Sequence, residues 1–144
     1  MIKNRICTVT FVLSLTVVSF GSISINLNAY AQQVPSDVAA RIIVSEAADQ
    51  GLKGMICVGE VIRNRKSTKG FYGYKSNRLM RQPKAVREMA QKAWDLSAHT
   101  NYTNGADHFE DVHKFGEPWW AKDCVKTYEY KDHIFYKEIR HLNL

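Results

Sequence analysis

Fifteen consecutive positions, Ile6 to Phe20, carry no charge and are mostly apolar. They follow Lys3 and Arg5 and lead to Ala29-Tyr30-Ala31, which offers small residues at the two positions a signal peptidase reads. The run is shorter than the ~20 residues that a membrane-spanning helix needs. Residues 1–31 are therefore expected to be a secretory signal peptide, with an uncleaved anchor as the alternative. The fold must then be built from residues 32–144, a length that holds one modest core. No second apolar stretch is long enough to span a membrane, so no stable insertion is expected after cleavage, and the protein should work in the periplasm or be secreted.

Export changes the reading of the cysteines. Cys7 leaves with the signal, and Cys57 and Cys124 remain in an oxidising compartment. They form either one disulfide or two separately buried thiols, since Cys57 lies within an apolar helical run and free cysteine is among the most buried residue types. Charge narrows the partners. The chain has 20 Lys and Arg against 14 Asp and Glu, a formal charge of +6, which favours an anionic partner or surface. The basic residues do not cluster on one element with interleaved aromatics, and there is no nucleotide-binding glycine loop, so neither nucleic acid nor a cofactor is expected.

Three helical patterns come first. Ser36 can cap the first and Gly51 can end it, with Val38, Ala39, Ile42, Ile43 and Ala47 at helical spacing. Glu46 projects from that same apolar face. The second pattern runs from Gly54 to Arg65, striped by Met55, Val58, Val61 and Ile62, with Glu60 on its polar side. The third opens at Pro83 and carries Val86, Met89, Ala90, Ala93 and Leu96 on one face. Between the last two, Lys66 to Arg81 reads as an aromatic loop. After Asn104-Gly105 the helical period fades. Gly105 to Phe109 suggests a short strand, and Lys126 to Tyr130 and His133 to Tyr136 suggest a hairpin turned at Lys131-Asp132. Helices first and a small β region last give an α+β class.

The blocks Ile42-Ile43-Val44-Ser45-Glu46-Ala47, Gly54, Val58-x-x-Val61-Ile62-x-Asn64-Arg65, Thr103-x-Gly105-Ala106-x-x-Phe109, Pro118-Trp119-Trp120-Ala121 and His133-x-Phe135-Tyr136 follow one another in a familiar order. Together they resemble the cell wall hydrolase family of the spore cortex-lytic enzyme SleB, over nearly all of Val38 to Lys137. The resemblance implies a lysozyme-like domain over residues 32–144 that acts on peptidoglycan glycan strands, with Glu46 as the catalytic acid. Two departures stand out. Where the family commonly reads Glu-Ala-Arg-Gly-Glu-Pro, this chain has Gln50 in place of the second acid. The family's Gln-Pro-Gly-Gln-Phe segment has no counterpart beyond Gln82-Pro83.

Physical chemistry supports the same glutamate. A carboxyl on an apolar helical face loses solvation, which raises its pKa into the range a general acid needs. A structural ion pair with Arg63 or Arg65 is the competing account. Tyr72, Tyr74, Trp119 and Trp120 are candidate sugar-stacking rings, because flat apolar faces with polar rims suit carbohydrates; core packing is their alternative. One of the two tryptophans is expected in and the other partly out. His133 and Tyr136 are candidates for the cleft near Glu46, or buried supports.

Two other classes compete with a glycosidase. His108, His113 and His133 with Asp107, Glu110 or Asp111 could hold zinc for a peptidoglycan amidase, although no His-Glu-x-x-His helix is present. A non-catalytic wall-binding module would bind glycan and release nothing. Within the glycosidase reading, hydrolysis needs a second carboxylate, for which Asp107 and Glu110 are the candidates. A lone Glu46 suits lytic transglycosylation of the bond between N-acetylmuramic acid and N-acetylglucosamine, which the resemblance also implies.

Overall fold

A computed structural model describes residues 34–75 and 77–142, without the side chains of Tyr74 and Arg78. The segment read as an export signal, residues 1–31, lies outside them. Helix α1 spans Ser36–Ala47, α2 Gly51–Arg65, α3 Arg78–Arg81, α4 Lys84–Leu96 and α5 Val112–Phe115. Strands β1 (His108–Asp111), β2 (Cys124–Tyr130) and β3 (His133–Glu138) form one antiparallel sheet in the order β1-β3-β2. The chain is thus α+β, with the helices preceding the sheet. None of the helices among the described residues is long and apolar enough to cross a membrane.

The helices form where the apolar period is 3.6 residues. Ala39, Ile42, Ile43 and Ala47 of α1 are fully buried, as are Met55, Cys57, Val58, Val61 and Ile62 of α2. Helix α4 adds Ala90, Ala93 and Trp94, and Val86, Met89 and Leu96 pack partly buried against the same core. A close approach is built in where α2 meets the end of α4. A Cβ on Gly59 would stand 2.9 Å from the Ser97 side chain, so only glycine lets the two elements come this near.

Several boundaries differ from the sequence reading. Ser36 is the first helical residue of α1, not its cap; Pro35 takes that place, with no side-chain cap. Gly51 does not end α1 but opens α2 at φ +73°, so α2 begins three residues before the expected Gly54. Its neighbour α1 stops at Ala47 because the chain must turn sharply through 48–50 to reverse direction. The first strand is shifted as well, to His108–Asp111 rather than Gly105 to Phe109.

The hairpin turns at Lys131-Asp132 as expected, with Lys131 at φ 51°. Because strand side chains alternate between faces, Phe109, Asp111, His133 and Phe135 share the face toward the helices. There Phe109 and Phe135 sit with ring centroids 5.8 Å apart, and Phe135 is fully buried. His108, Tyr136 and Glu138 share the opposite face. A further tie is Lys53 of α2, whose ammonium lies 5.0, 5.6 and 5.4 Å from the rings of Tyr102, Tyr128 and Tyr130. Such cation–π contacts fix the helix against the hairpin.

Candidate functional site

Glu46 occupies the last turn of α1, half-buried beside the fully buried Ile42 and Ile43. It lines a cleft of about 510 Å³ whose walls come from four parts of the chain, one of them Gln82 before α4. Val44 to Gln50 supply the end of α1 and the following turn. Phe109, Glu110 and Asp111 supply β1, with Lys114 and Phe115 from α5, and Asp132 and His133 supply the hairpin tip. The two halves of the chain therefore meet at this carboxyl.

Hydrogen bonds hold that meeting in place. Lys131 Nζ donates to the Gln50 carbonyl at 2.9 Å, and Gln50 Nε2 donates to Asp132 Oδ2 at 3.0 Å and to Asp49 Oδ1 at 3.1 Å. Two carboxylates around one amide fix its orientation, since only the NH₂ end can donate. Gln50 thus latches the hairpin tip to the turn after Glu46. The loop before α3 is fixed at the same place. Ser45 Oγ shares its one proton between the Arg41 carbonyl at 2.7 Å and the Gly73 carbonyl at 2.9 Å, and a Cβ on Gly73 would lie 2.1 Å from Ser45 Cβ and 3.4 Å from Glu46 Oε1. Glycine is what lets this loop close over the glutamate.

His133 is 7% exposed and packs edge-on against Phe109, ring centroids 5.1 Å apart. Burial lowers its pKa against the opposing pull of Asp111, Asp132 and Asp49, so the ring is held neutral in a cleft otherwise rich in carboxylates. Its Nδ1 and the Oε1 of Gln50 are buried side-chain atoms with no hydrogen-bond partner. Five acids line the cleft (Glu46, Asp49, Glu110, Asp111 and Asp132) against one cation, Lys114.

The arginines considered as ion-pair partners for Glu46 are engaged elsewhere. Arg63 donates to Ser97 Oγ and to the Trp94 carbonyl and stacks 3.6 Å from the Trp94 ring. Arg65 donates to the Lys69 carbonyl and stacks on Phe71.

Other sequence candidates are placed apart from the cleft. Tyr136 does not join His133, because residues three apart on a strand point to opposite faces. It is buried under Trp120, their rings edge-on at 5.3 Å. Trp120 also packs 5.1 Å from His108 and is half-buried, while Trp119 is 80% exposed, so neither ring is fully in. Tyr72 is 90% exposed beside a separate depression lined by Phe71 and Lys75. The side chain of Tyr74 lies outside the described residues.

Two acids depart from their sequence reading. Glu60 is not on a polar face but 3% exposed, and its carboxylate accepts from the Tyr102 N–H at 2.9 Å, the Thr103 N–H at 2.8 Å and the Thr103 hydroxyl at 2.7 Å. These bonds replace its hydration and tie α2 to the turn after α4. Asp107 does not line the cleft. Its Oδ1 accepts from His108 Nδ1 at 2.7 Å and from the Glu138 N–H at 3.1 Å, and its Oδ2 is 2.6 Å from His141 Nδ1. Burial acts to raise the Asp107 pKa, but these hydrogen bonds together hold it below the ordinary value.

The cysteines are both free, Cys57 in the core and Cys124 half-buried on β2. Among the described residues, the set His108, His113 and His133 is not gathered; the donor atoms that come within 4.8 Å of one another belong to Asp107, Glu138 and His141. What the sequence did not single out is the hairpin tip, Lys131-Asp132, read only as a turn, and the cleft acids Asp49 and Asp132. Their signal is faint, since a turn acid is ordinarily solvated. No protein-family model, no curated protein and no solved structure matches the chain.

Proposed function

We propose that the chain is an exported, lysozyme-like glycosidase that cuts the β-1,4 bond of peptidoglycan strands after N-acetylmuramic acid, with Glu46 as its acid. The observation that carries this reading is the position of Glu46, half-buried in a cleft to which both halves of the chain contribute. The ordered blocks shared with the SleB family support it.

In this mechanism protonated Glu46 gives its proton to the glycosidic oxygen as the C1–O bond breaks. The leaving strand departs as an alcohol. The 6-hydroxyl of the same muramic acid closes on C1 and returns its proton to the Glu46 carboxylate. No water is consumed, and the product is a 1,6-anhydromuramic end. The neutral His133 and the amide of Gln50 supply polar groups in the cleft without adding charge.

A second outcome has its own observation. Glu110 and Asp111 line the same cleft as Glu46, whereas Asp107 does not. Either could hold a nucleophilic water, which would make the enzyme a hydrolase. Digestion of purified sacculi in heavy-oxygen water separates the two, since anhydro ends carry no label and reducing ends from hydrolysis do. Glu46→Gln keeps size and hydrogen bonding while removing the transferable proton, so product release should fall ~10²- to 10⁴-fold. Undiminished digestion by that variant would remove Glu46 from the mechanism. Binding without any released muropeptide by the wild type would leave a wall-binding module.

A further inference from the structure

A second cluster of ionisable side chains lies at the end of the sheet where β1 begins and β3 ends, beside Asn64 and Arg65 of α2, and the proposed glycosidase has no use for it. We propose that Asp107, Glu138 and His141 form a binding site for a divalent transition-metal ion of the zinc type. One donor atom from each lies within 4.8 Å of the other two. His141 Nδ1 is 2.6 Å from Asp107 Oδ2 and 3.5 Å from Glu138 Oε2. An ion with ligands at ~2.0 Å in tetrahedral geometry sets them about 3.3 Å apart. The two His141 spacings lie on either side of that value and the Asp107–Glu138 pair lies within 4.8 Å, so small side-chain shifts admit the ion.

The support around these donors is of the kind metal sites require. Asp107 is 6% exposed, and its other oxygen is held by His108 Nδ1 and by the Glu138 N–H. Outer hydrogen bonds of this sort orient a ligating carboxylate before the metal arrives. His108 is itself fixed against Trp120. The third donor is the most exposed of the three. His141 sits at the end of the short turn Ile139–His141 with its side chain about half exposed, so it can trade its Asp107 hydrogen bond for a coordinate bond. On metal binding the Nδ1 proton is lost or moves to Nε2, and the ion takes its place between nitrogen and oxygen. Arg140, which pairs with Glu138, has an exposed side chain that can swing clear.

The donor set also selects the ion. One imidazole nitrogen with two carboxylates suits Zn²⁺, Co²⁺ or Ni²⁺, whereas Ca²⁺ takes six to eight oxygens and Mg²⁺ a near-octahedral oxygen shell. Occupation would pin the turn Ile139–His141 to the loop before β1, far along the sheet from the hairpin tip that lines the Glu46 cleft.

The test uses untagged full-length protein stripped with a chelator and titrated with ZnCl₂ by calorimetry and by thermal melting. One Zn²⁺ per chain should bind saturably in the micromolar range and raise the melting temperature, with no comparable response to Ca²⁺ or Mg²⁺. His141→Ala, which removes a half-exposed side chain, should weaken zinc binding at least tenfold. His108→Gln, which loosens Asp107 without removing a ligand, should weaken it ~10- to 100-fold. His99→Ala, an exposed histidine elsewhere, should leave it unchanged. Absence of saturable binding below millimolar zinc, or equal affinity in His141→Ala, would overturn the site. So would an equal response to Ca²⁺.

Discussion

The two half-hidden and hidden glutamates, Glu46 and Glu60, should respond to the same substitution in opposite ways. Glu60 lies 3% exposed and accepts three hydrogen bonds, one on Oε1 and two on Oε2. In Glu60→Gln the amide oxygen best takes the Oε2 place, so the bonds from the Thr103 N–H and hydroxyl survive as neutral ones. A bond to a charged group is worth ~1.5–3 kcal/mol and a neutral one ~1, so each loses about 1 kcal/mol. The new NH₂ then faces the Tyr102 N–H, donor against donor, which leaves a desolvated donor at ~1–3 kcal/mol. The sum is about 4 kcal/mol. For a domain of this size that lowers the melting temperature by ~15 °C. Glu46→Gln should melt within a few degrees of wild type or above it, because the amide keeps the size and hydrogen-bonding capacity of the carboxyl and, in the proposed role, only the transferable proton is lost. Urea and thermal unfolding followed by circular dichroism read both variants, alongside sacculus digestion. Loss of less than 1 kcal/mol in Glu60→Gln would refute the hydrogen-bond argument. A collapse of stability in Glu46→Gln with stability-limited activity would refute its chemical role.

Two further outcomes follow from burial. In the native protein without reductant, iodoacetamide should add once, at the half-buried Cys124, because Cys57 is fully buried and burial together with the Glu60 charge pushes its thiol up to about 12; urea should expose a second adduct, and intact mass counts them, so failure of either thiol to label in urea would reveal a disulfide instead. Burial holds the folded-state pKa of His133 below its ordinary 6.5, so the unfolded chain takes up the proton first and stability is lost as pH falls from about 6.5 toward the lower folded value. The slope is at most ~1.4 kcal/mol per pH unit for one proton, and it should disappear in His133→Gln, measured by urea midpoints between pH 7.5 and 5; an unchanged slope would show that another group carries it.

What was legible in the sequence is what a period can encode. The 3.6-residue recurrence of Ile42, Ile43 and Ala47, and of Met55, Val58 and Ile62, marks the buried faces of α1 and α2, and the alternation around Lys131-Asp132 marks the hairpin. The acids show where this stops. Glu46 stood out because it interrupts an apolar face. Glu60 lies within a helix buried from Gly54 to Ile62, yet its partners are backbone groups at Tyr102 and Thr103, forty residues on, and backbone donors leave no trace in residue identity. Asp107, read as a possible partner carboxylate for Glu46, precedes β1 and is held away from the cleft by its bonds to His108, His141 and the Glu138 N–H.

The same reasoning explains why Gln50 matters more than its neutrality suggests. In the fold it gives both amide hydrogens to Asp49 and Asp132 and takes a lysine from the hairpin tip on its carbonyl. A glutamate there would set a third carboxylate against those two at about hydrogen-bond distance, a like-charge contact that disfavours ionisation of the group. The turn acids and the amide therefore belong together. Asp132 brings β3 and His133 to the end of α1, so the position of the neutral imidazole relative to Glu46 depends on a bond that glutamate could make only when protonated. In this chain the amide holds the hairpin tip against the turn after Glu46 with no third carboxylate between Asp49 and Asp132.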